Sequence, residues 1–253
     1  MHPIKRENDA PFILIYGDTN SGKTASCIRT SLQPIHCISP EGDTWKAIDA
    51  IEALGETVDI HVDMPDSHED LMDSLNAIIR DAKAGKYKYK TFIFDSGTYW
   101  MNIALAIRVE DDRNVGREGD DVGKLSAQTK KDYTEVNTAN SQMSRLTNLL
   151  KKLSHCGVMV IMTAQLQEDP KWNRELEAAP CFNYKDYNKA LKGYFDYIGF
   201  VIPSLDKNGF VTYPPKLSFD SQQGYLVKWR GVQPKKLTTI FDLSKRFAWF
   251  CKK

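Results

Sequence analysis

A chain of 253 residues is long enough for one large domain or two small ones. With 42% hydrophobic and 26% charged residues it has the composition of a globular protein that buries a core, which excludes a disordered or fibrous chain. A formal net charge of +1 excludes a uniformly basic nucleic-acid coat but leaves room for a local basic site.

In chain order, residues 1–10 read as an N-terminal arm, followed by the apolar run Phe12–Tyr16, a strand buried on both faces. GDTNSGKT follows directly, and a helix runs from about Gly22 to Ser31. His36–Ser39 reads as a second strand, Thr44–Leu54 as a helix with Trp45, Ile48, Ile51 and Leu54 on one face, and Thr57–Val62 as a third strand. Asp70–Lys83 is helical, with Leu71, Leu75, Ile78 and Ile79 spaced for one buried stripe. Thr91–Phe94 is a fourth strand ending at Asp95, with a helix after it through Ile107. Asp132–His155 is a long helix and Val158–Met162 a fifth strand. This alternation predicts an α/β fold whose sheet is mostly parallel and flanked by helices. From residue 194 the pattern changes to short β segments, Phe195–Ile202, Lys216–Phe219 and Tyr225–Trp229, with a hairpin at Asn208–Gly209. Thr239–Cys251 closes the chain as a short helix with an aromatic face.

Two stretches interrupt the alternation. Residues 108–131 are charged and contain glycine; residues 166–188 are polar with interleaved aromatics. Long loops of this kind in a compact domain are functional or disordered. Five cysteines without a C-x-x-C pair build neither a disulfide framework nor a cysteine zinc site, which points to a reducing cytosol. No apolar stretch approaches membrane-spanning length and the N-terminus has no signal-peptide core, so no membrane partner is expected and the location is cytoplasmic.

GDTNSGKT matches G-x-x-x-x-G-K-[ST] in its proper setting, after a buried strand and before a helix. Gly17 and Gly22 let the backbone turn tightly and approach a phosphate. The loop N–H groups and the helix N-terminus then face the anion. The pattern assigns Gly17, Asp18, Thr19, Asn20, Ser21, Gly22, Lys23, Thr24 and Ala25 to ATP, with Lys23 at the β/γ-phosphates and the Thr24 hydroxyl on Mg2+. Asp95, at the end of a buried strand beside the P-loop strand, is placed to hold Mg2+, while serving equally as an ordinary helix cap. Glu41, in CISPEG at the end of the second strand, is placed to orient and deprotonate water. Thr163 and Gln165 close the fifth strand, where a polar side chain can touch the γ-phosphate.

These strand ends, GDTNSGKT, then PEG, then TFIFDS, then TAQ, resemble those of the RecA-like ATPases over roughly residues 11–231, leaving 232–253 as a tail. The resemblance implies that Glu41 is catalytic, that Asp95 acts on magnesium and that Gln165 couples nucleotide to DNA. It also implies two DNA-binding loops at the two irregular stretches, with Lys171, Trp172, Arg174, Phe182, Tyr184 and Lys185 contacting single-stranded DNA by stacking and phosphate contacts. The compact size is similar to the phage RecA-like single-strand annealing proteins, which implies annealing or recombination in a host cytoplasm, with a single-stranded-DNA-binding protein as a partner. Lys228 and Arg230, in YLVKWRG, resemble the K-x-R-G element that reaches the ATP of a neighbouring subunit, which implies a homo-oligomeric ring or filament. Residues two apart on a strand face one side, as such a pair requires. Two other functions fit the P-loop: a small-molecule kinase using Arg108, Arg113 and Arg117 as a lid, or a nucleotide-gated interaction module.

Overall fold

The computed structural model describes residues 9–103, 133–182, 185–208, 211–221, 224–231 and 234–251, with the backbone alone at 133–138 and 211. The expected loop at 108–131, Tyr184 and Gly209 lie outside the described residues.

The central strand is β1 (Phe12–Gly17), buried along its whole length. Its neighbours are β5 (Met159–Glu168) and β7 (Tyr197–Leu205), both parallel to it. Beyond β5 lie β4 (Thr91–Phe94), β2 (Ile35–Ile38) and the edge strand β3 (Ile60–Asp63), all parallel. On the other side β8 (Val211–Ser218) and β9 (Thr238–Ile240) add antiparallel strands. The sheet order is β3-β2-β4-β5-β1-β7-β8-β9, with β6 (Ala178–Pro180) pairing off the far end of β5. This is the expected α/β architecture with a β-rich C-terminal part. In one respect the expectation fails: the strand ending at Asp95 is not beside the P-loop strand, because β5 lies between them.

The period of two along β1 divides the core into two layers. Phe12, Leu14 and Tyr16 face one layer with α3 (His68–Lys83), α5 (Tyr133–Ser154) and α6 (Lys185–Tyr194). Ile13 and Ile15 face the other, with α1 (Lys23–Thr30), α2 (Thr44–Glu52) and the C-terminal segment. In α3 the stripe Leu71, Leu75, Ile78 and Ile79 is buried as its spacing predicts, and Ser67 caps the helix by accepting from Asp70 N at 3.0 Å. Helix α4 opens at residue 97 and is described to 103.

Three expectations are corrected. In α2 the inward positions are Thr44, Ile48 and Ile51, whereas Trp45 is 50% and Leu54 60% exposed. At 3.6 residues per turn Trp45 lies about 100° round from Thr44, and Leu54 falls beyond the helix end. Strand β5 does not stop at Gln165 but runs on to Glu168, where it takes up β6. Residues 239–251 are not one helix: Thr239 and Ile240 pair with β8, and only then come α7 (Leu243–Arg246) and α8 (Ala248–Cys251).

The C-terminal segment is part of the core. Phe241, Leu243 and Phe247 are fully buried or nearly so, Phe247 lies parallel to Trp229 at 5.7 Å, and Leu243 N donates to Thr30 Oγ1 of α1 at 3.1 Å. Phe247→Ala should therefore lower the unfolding free energy by about 3–5 kcal/mol, the cost of deleting a buried phenyl ring. Urea titration should show a lower midpoint with an unchanged slope.

Candidate active site

The P-loop starts where β1 ends. Gly17 sits against β7: a Cβ there would come within 3.0 Å of Val201 Cβ and of Ser21 Oγ. Gly22, at φ +78°, caps α1 in the left-handed region that favours glycine. Between them Ser21 N donates to Asp18 O at 3.2 Å, and Ser26 N donates to Gly22 O at 2.9 Å as α1 begins. The outer side of the loop is walled by β8, whose Tyr213 and Pro215 would lie 3.7–3.8 Å from a Cβ at Gly22.

This loop fits a nucleotide phosphate on its own structural grounds. Ser21 Oγ is buried without a hydrogen-bond partner, and the first turn of α1 carries no acidic residue. Lys23 Nζ rests on Asp18 O at 3.2 Å. Burial pushes the Lys23 ammonium below its usual range, against the pull of Asp95 and Glu41. A partly buried cation near two carboxylates suits a polyphosphate, whose charge favours the protonated ammonium.

Asp95 leaves the end of β4 and is 7% exposed. Three threonines from three elements donate to it: Thr24 of α1 at 3.2 Å to each oxygen, Thr44 of α2 at 3.1 Å, and Thr163 of β5 in the shortest contact. The Asp95–Ser96 peptide is cis. Thr24 Oγ1 and Asp95 together present hard oxygen ligands beside the phosphate loop, the donor set that Mg2+ takes. When bound, such an ion neutralises developing phosphate charge.

Glu41 joins them from the loop after β2. Its carboxylate accepts from Ser96 Oγ at 3.3 Å. Burial, and next the charge of Asp95, push the Glu41 carboxyl above the usual range, opposed by the Ser96 hydrogen bond and Lys23. Gln165 stands level with Gly17 in the β1–β5 register, its N–H bound to Thr98 Oγ1 at 3.0 Å. The fold thus brings Lys23, Thr24, Glu41, Asp95 and Gln165 to one end of the parallel strands. Thr163, singled out for the γ-phosphate, is instead turned to Asp95. Thr44 and Ser96 complete the site, and no motif in the sequence marks either as a site residue. For Thr44 the available signal was its stripe with Ile48 and Ile51.

The residues expected to meet DNA are divided. Lys171, Arg174 and Lys185 are exposed, and Lys185 opens α6 rather than lying in a loop. Trp172 is half-buried against the core. Phe182 is corrected: at 2% exposure, with its ring edge-on to Tyr187 at 5.0 Å, it packs in the core and offers no face to a base. Lys228 and Arg230 sit by the start of β7, at the sheet end away from the P-loop. Lys228 pairs with Ile198 and donates to Lys192 O and Phe195 O at 2.6 Å each, while Arg230 pairs with Asp196 at 2.7 Å. Asp196 N in turn bonds Phe12 O, at the opposite end of β1 from Gly17. Neither cation reaches this chain's own nucleotide site. Nor is Tyr225–Trp229 a strand; its pairing is confined to bridges at Tyr225 and Lys228.

The sequence profile of the AAA domain matches residues 10–243, nearly the whole described fold. No curated protein matches the chain. No helix among the described residues is long and apolar enough to cross a membrane.

Gly22→Ala should lower stability by about 1–2 kcal/mol, because it forces a Cβ into the left-handed region. Lys23→Ala should leave the fold intact but abolish most of the rise in melting temperature that ATP gives the parent. Differential scanning fluorimetry with and without nucleotide reads both effects.

Proposed function

The chain belongs to the AAA domain family of nucleotide-binding P-loop ATPases, and we propose that it is a Mg2+-dependent ATPase that binds single-stranded DNA and promotes annealing or recombination, in the manner of the phage RecA-like proteins. The observation that carries this reading is the continuity of β5. Its Thr163 bonds Asp95, its Gln165 stands beside Gly17, and its far end leads into the segment bearing exposed Lys171 and Arg174. Thr98 clasps the same junction, donating to Cys181 O at 2.8 Å while accepting from Gln165 N. A change at Asp95 or Gln165 is therefore one rigid strand away from the cations that would meet DNA phosphates.

Within this reading Glu41 is the general base. Its Ser96 contact orients it, and burial gives it a proton affinity closer to the working pH than a solvated glutamate has. Lys171 and Arg174 follow the phosphates and Trp172 supplies partial stacking. Arg230 acts on a neighbouring subunit. Its position at the sheet end opposite the P-loop is the one a head-to-tail neighbour would present, and such a contact would exchange Asp196 for phosphate.

ATP hydrolysis should rise on addition of single-stranded DNA, and Lys171→Glu with Arg174→Glu should remove that stimulation while basal hydrolysis persists. Binding of fluorescent single-stranded DNA should fall in parallel and weaken with salt. Phosphorylation of a small acceptor with no response to DNA would instead establish a kinase.

Glu41→Gln should retain nucleotide binding and lose about 10²–10⁴-fold in turnover. Because the raised Glu41 pKa makes the base protonate earlier on acidification, the parent rate should decline at a higher pH than a solvated glutamate would dictate. That acid limb should vanish from the Glu41→Gln profile. A parent-like rate in Glu41→Gln would remove it as the base.

A further inference from the structure

We propose that His36, His61 and Asp63 form a second metal site, separate from the nucleotide site, that takes one borderline divalent transition ion of the Zn2+ or Co2+ class. His36 of β2 and His61 of β3 are direct register partners on neighbouring parallel strands. Asp63 is two residues beyond His61 and therefore projects from the same face of the sheet. The Nε2 atoms of both rings already converge on this carboxylate, at 2.7 Å from His36 to Oδ2 and 3.0 Å from His61 to Oδ1. The three ligand atoms lie within 4.8 Å of one another.

Two further features distinguish this set from a chance surface cluster. His36 is 5% exposed, and its Nδ1 meets Tyr87 Oη at 3.0 Å, which fixes the ring with Nε2 toward Asp63. Metal-bound histidines are commonly oriented by such a partner on the other ring nitrogen. The rings of Tyr87, Tyr89 and Phe92 enclose His36, at 5.9, 4.9 and 5.6 Å. His61 and Asp63, by contrast, have half-exposed side chains, which leaves the cluster open to an ion from solvent and lets two ligands adjust around a fixed third.

Two imidazoles and a carboxylate, with a position left for water, are the ligands of zinc-like ions, whereas Mg2+ prefers oxygen throughout. In the ion-free arrangement a ring N–H can point from His36 at Asp63. On binding, that proton leaves Nε2 and one enters at Nδ1, whose N–H then donates a hydrogen bond to Tyr87 Oη, so neutral His36 ligates without a net change of protons. The ion would join the edge strand β3 to β2. Ser39 N donates to Asp63 O at 2.9 Å, so the joined end is also the one from which the Glu41 loop departs.

The test uses the full, nucleotide-free chain. Co2+ should bind at one equivalent with visible d–d absorption that Zn2+ displaces, and Zn2+ should raise the melting temperature where Mg2+ does not. His61→Ala and Asp63→Asn, at half-exposed side chains, should stay folded in chelator yet bind Co2+ at least about tenfold more weakly; Tyr87→Phe should weaken it by about tenfold. An excess of Mg2+, which takes oxygen ligands, should leave Co2+ bound. Absence of the Co2+ spectrum in the parent, parent-like affinity in His61→Ala, or displacement of Co2+ by excess Mg2+ would each overturn the site.

Discussion

The carboxylate of Asp95 organises the structure around it. A charge this far from water needs donors, and leaving it unpaired would cost several kcal/mol. Three threonine hydroxyls meet the need, each from a different element. Hydrogen bonds to an ionised group contribute roughly 1.5–3 kcal/mol each, so together they hold α1, α2 and β5 in a fixed relation to the end of β4. The demand also explains an oddity of α2. Thr44 takes an inward position there and Trp45 is left half exposed, because the hydroxyl is needed at Asp95. Electrostatic satisfaction outweighs the burial of a larger apolar surface at that position.

From this carboxylate the rest of the sheet divides by direction. The P-loop, Glu41 and Asp95 gather where parallel β1, β2 and β4 finish, level with Gln165 of β5, the usual place for ligands in open α/β sheets. The opposite end holds Lys228 and Arg230, each already committed to partners of its own chain. Strand β5 departs from the pattern by continuing past these strand ends to β6; it carries Thr163, which bonds the Asp95 carboxylate, and leads on to exposed Lys171 and Arg174.

The two metal-capable clusters differ in chemistry as well as place. Thr24 and Asp95 offer hydroxyl and carboxylate oxygens next to a phosphate loop, whereas His36, His61 and Asp63 offer two nitrogens and one carboxylate at the sheet edge. The cysteines take part in neither. All five are free, and Cys27 and Cys37 are wholly buried, where desolvation holds their thiols neutral.

What the sequence alone determined is what a few adjacent residues can encode. The buried strand, the left-handed Gly22 and the helix behind Lys23 are consecutive, so GDTNSGKT carried its own geometry. The stripe of α3 and the whole of β4 were legible for the same reason, since period and burial are local signals. Tertiary structure decided everything that depends on residues far apart in the chain. The three threonines reach Asp95 across separations of 71, 51 and 68 residues, and no spacing rule connects them. Phe182 has the look of a loop aromatic until packing beside Tyr187 takes it into the core, and the K-x-R pair has the look of a strand face until Asp196 binds Arg230. His36 and His61 share a face only because β2 and β3 pair in that register, which a sheet sets through hydrogen bonds between strands and not along them.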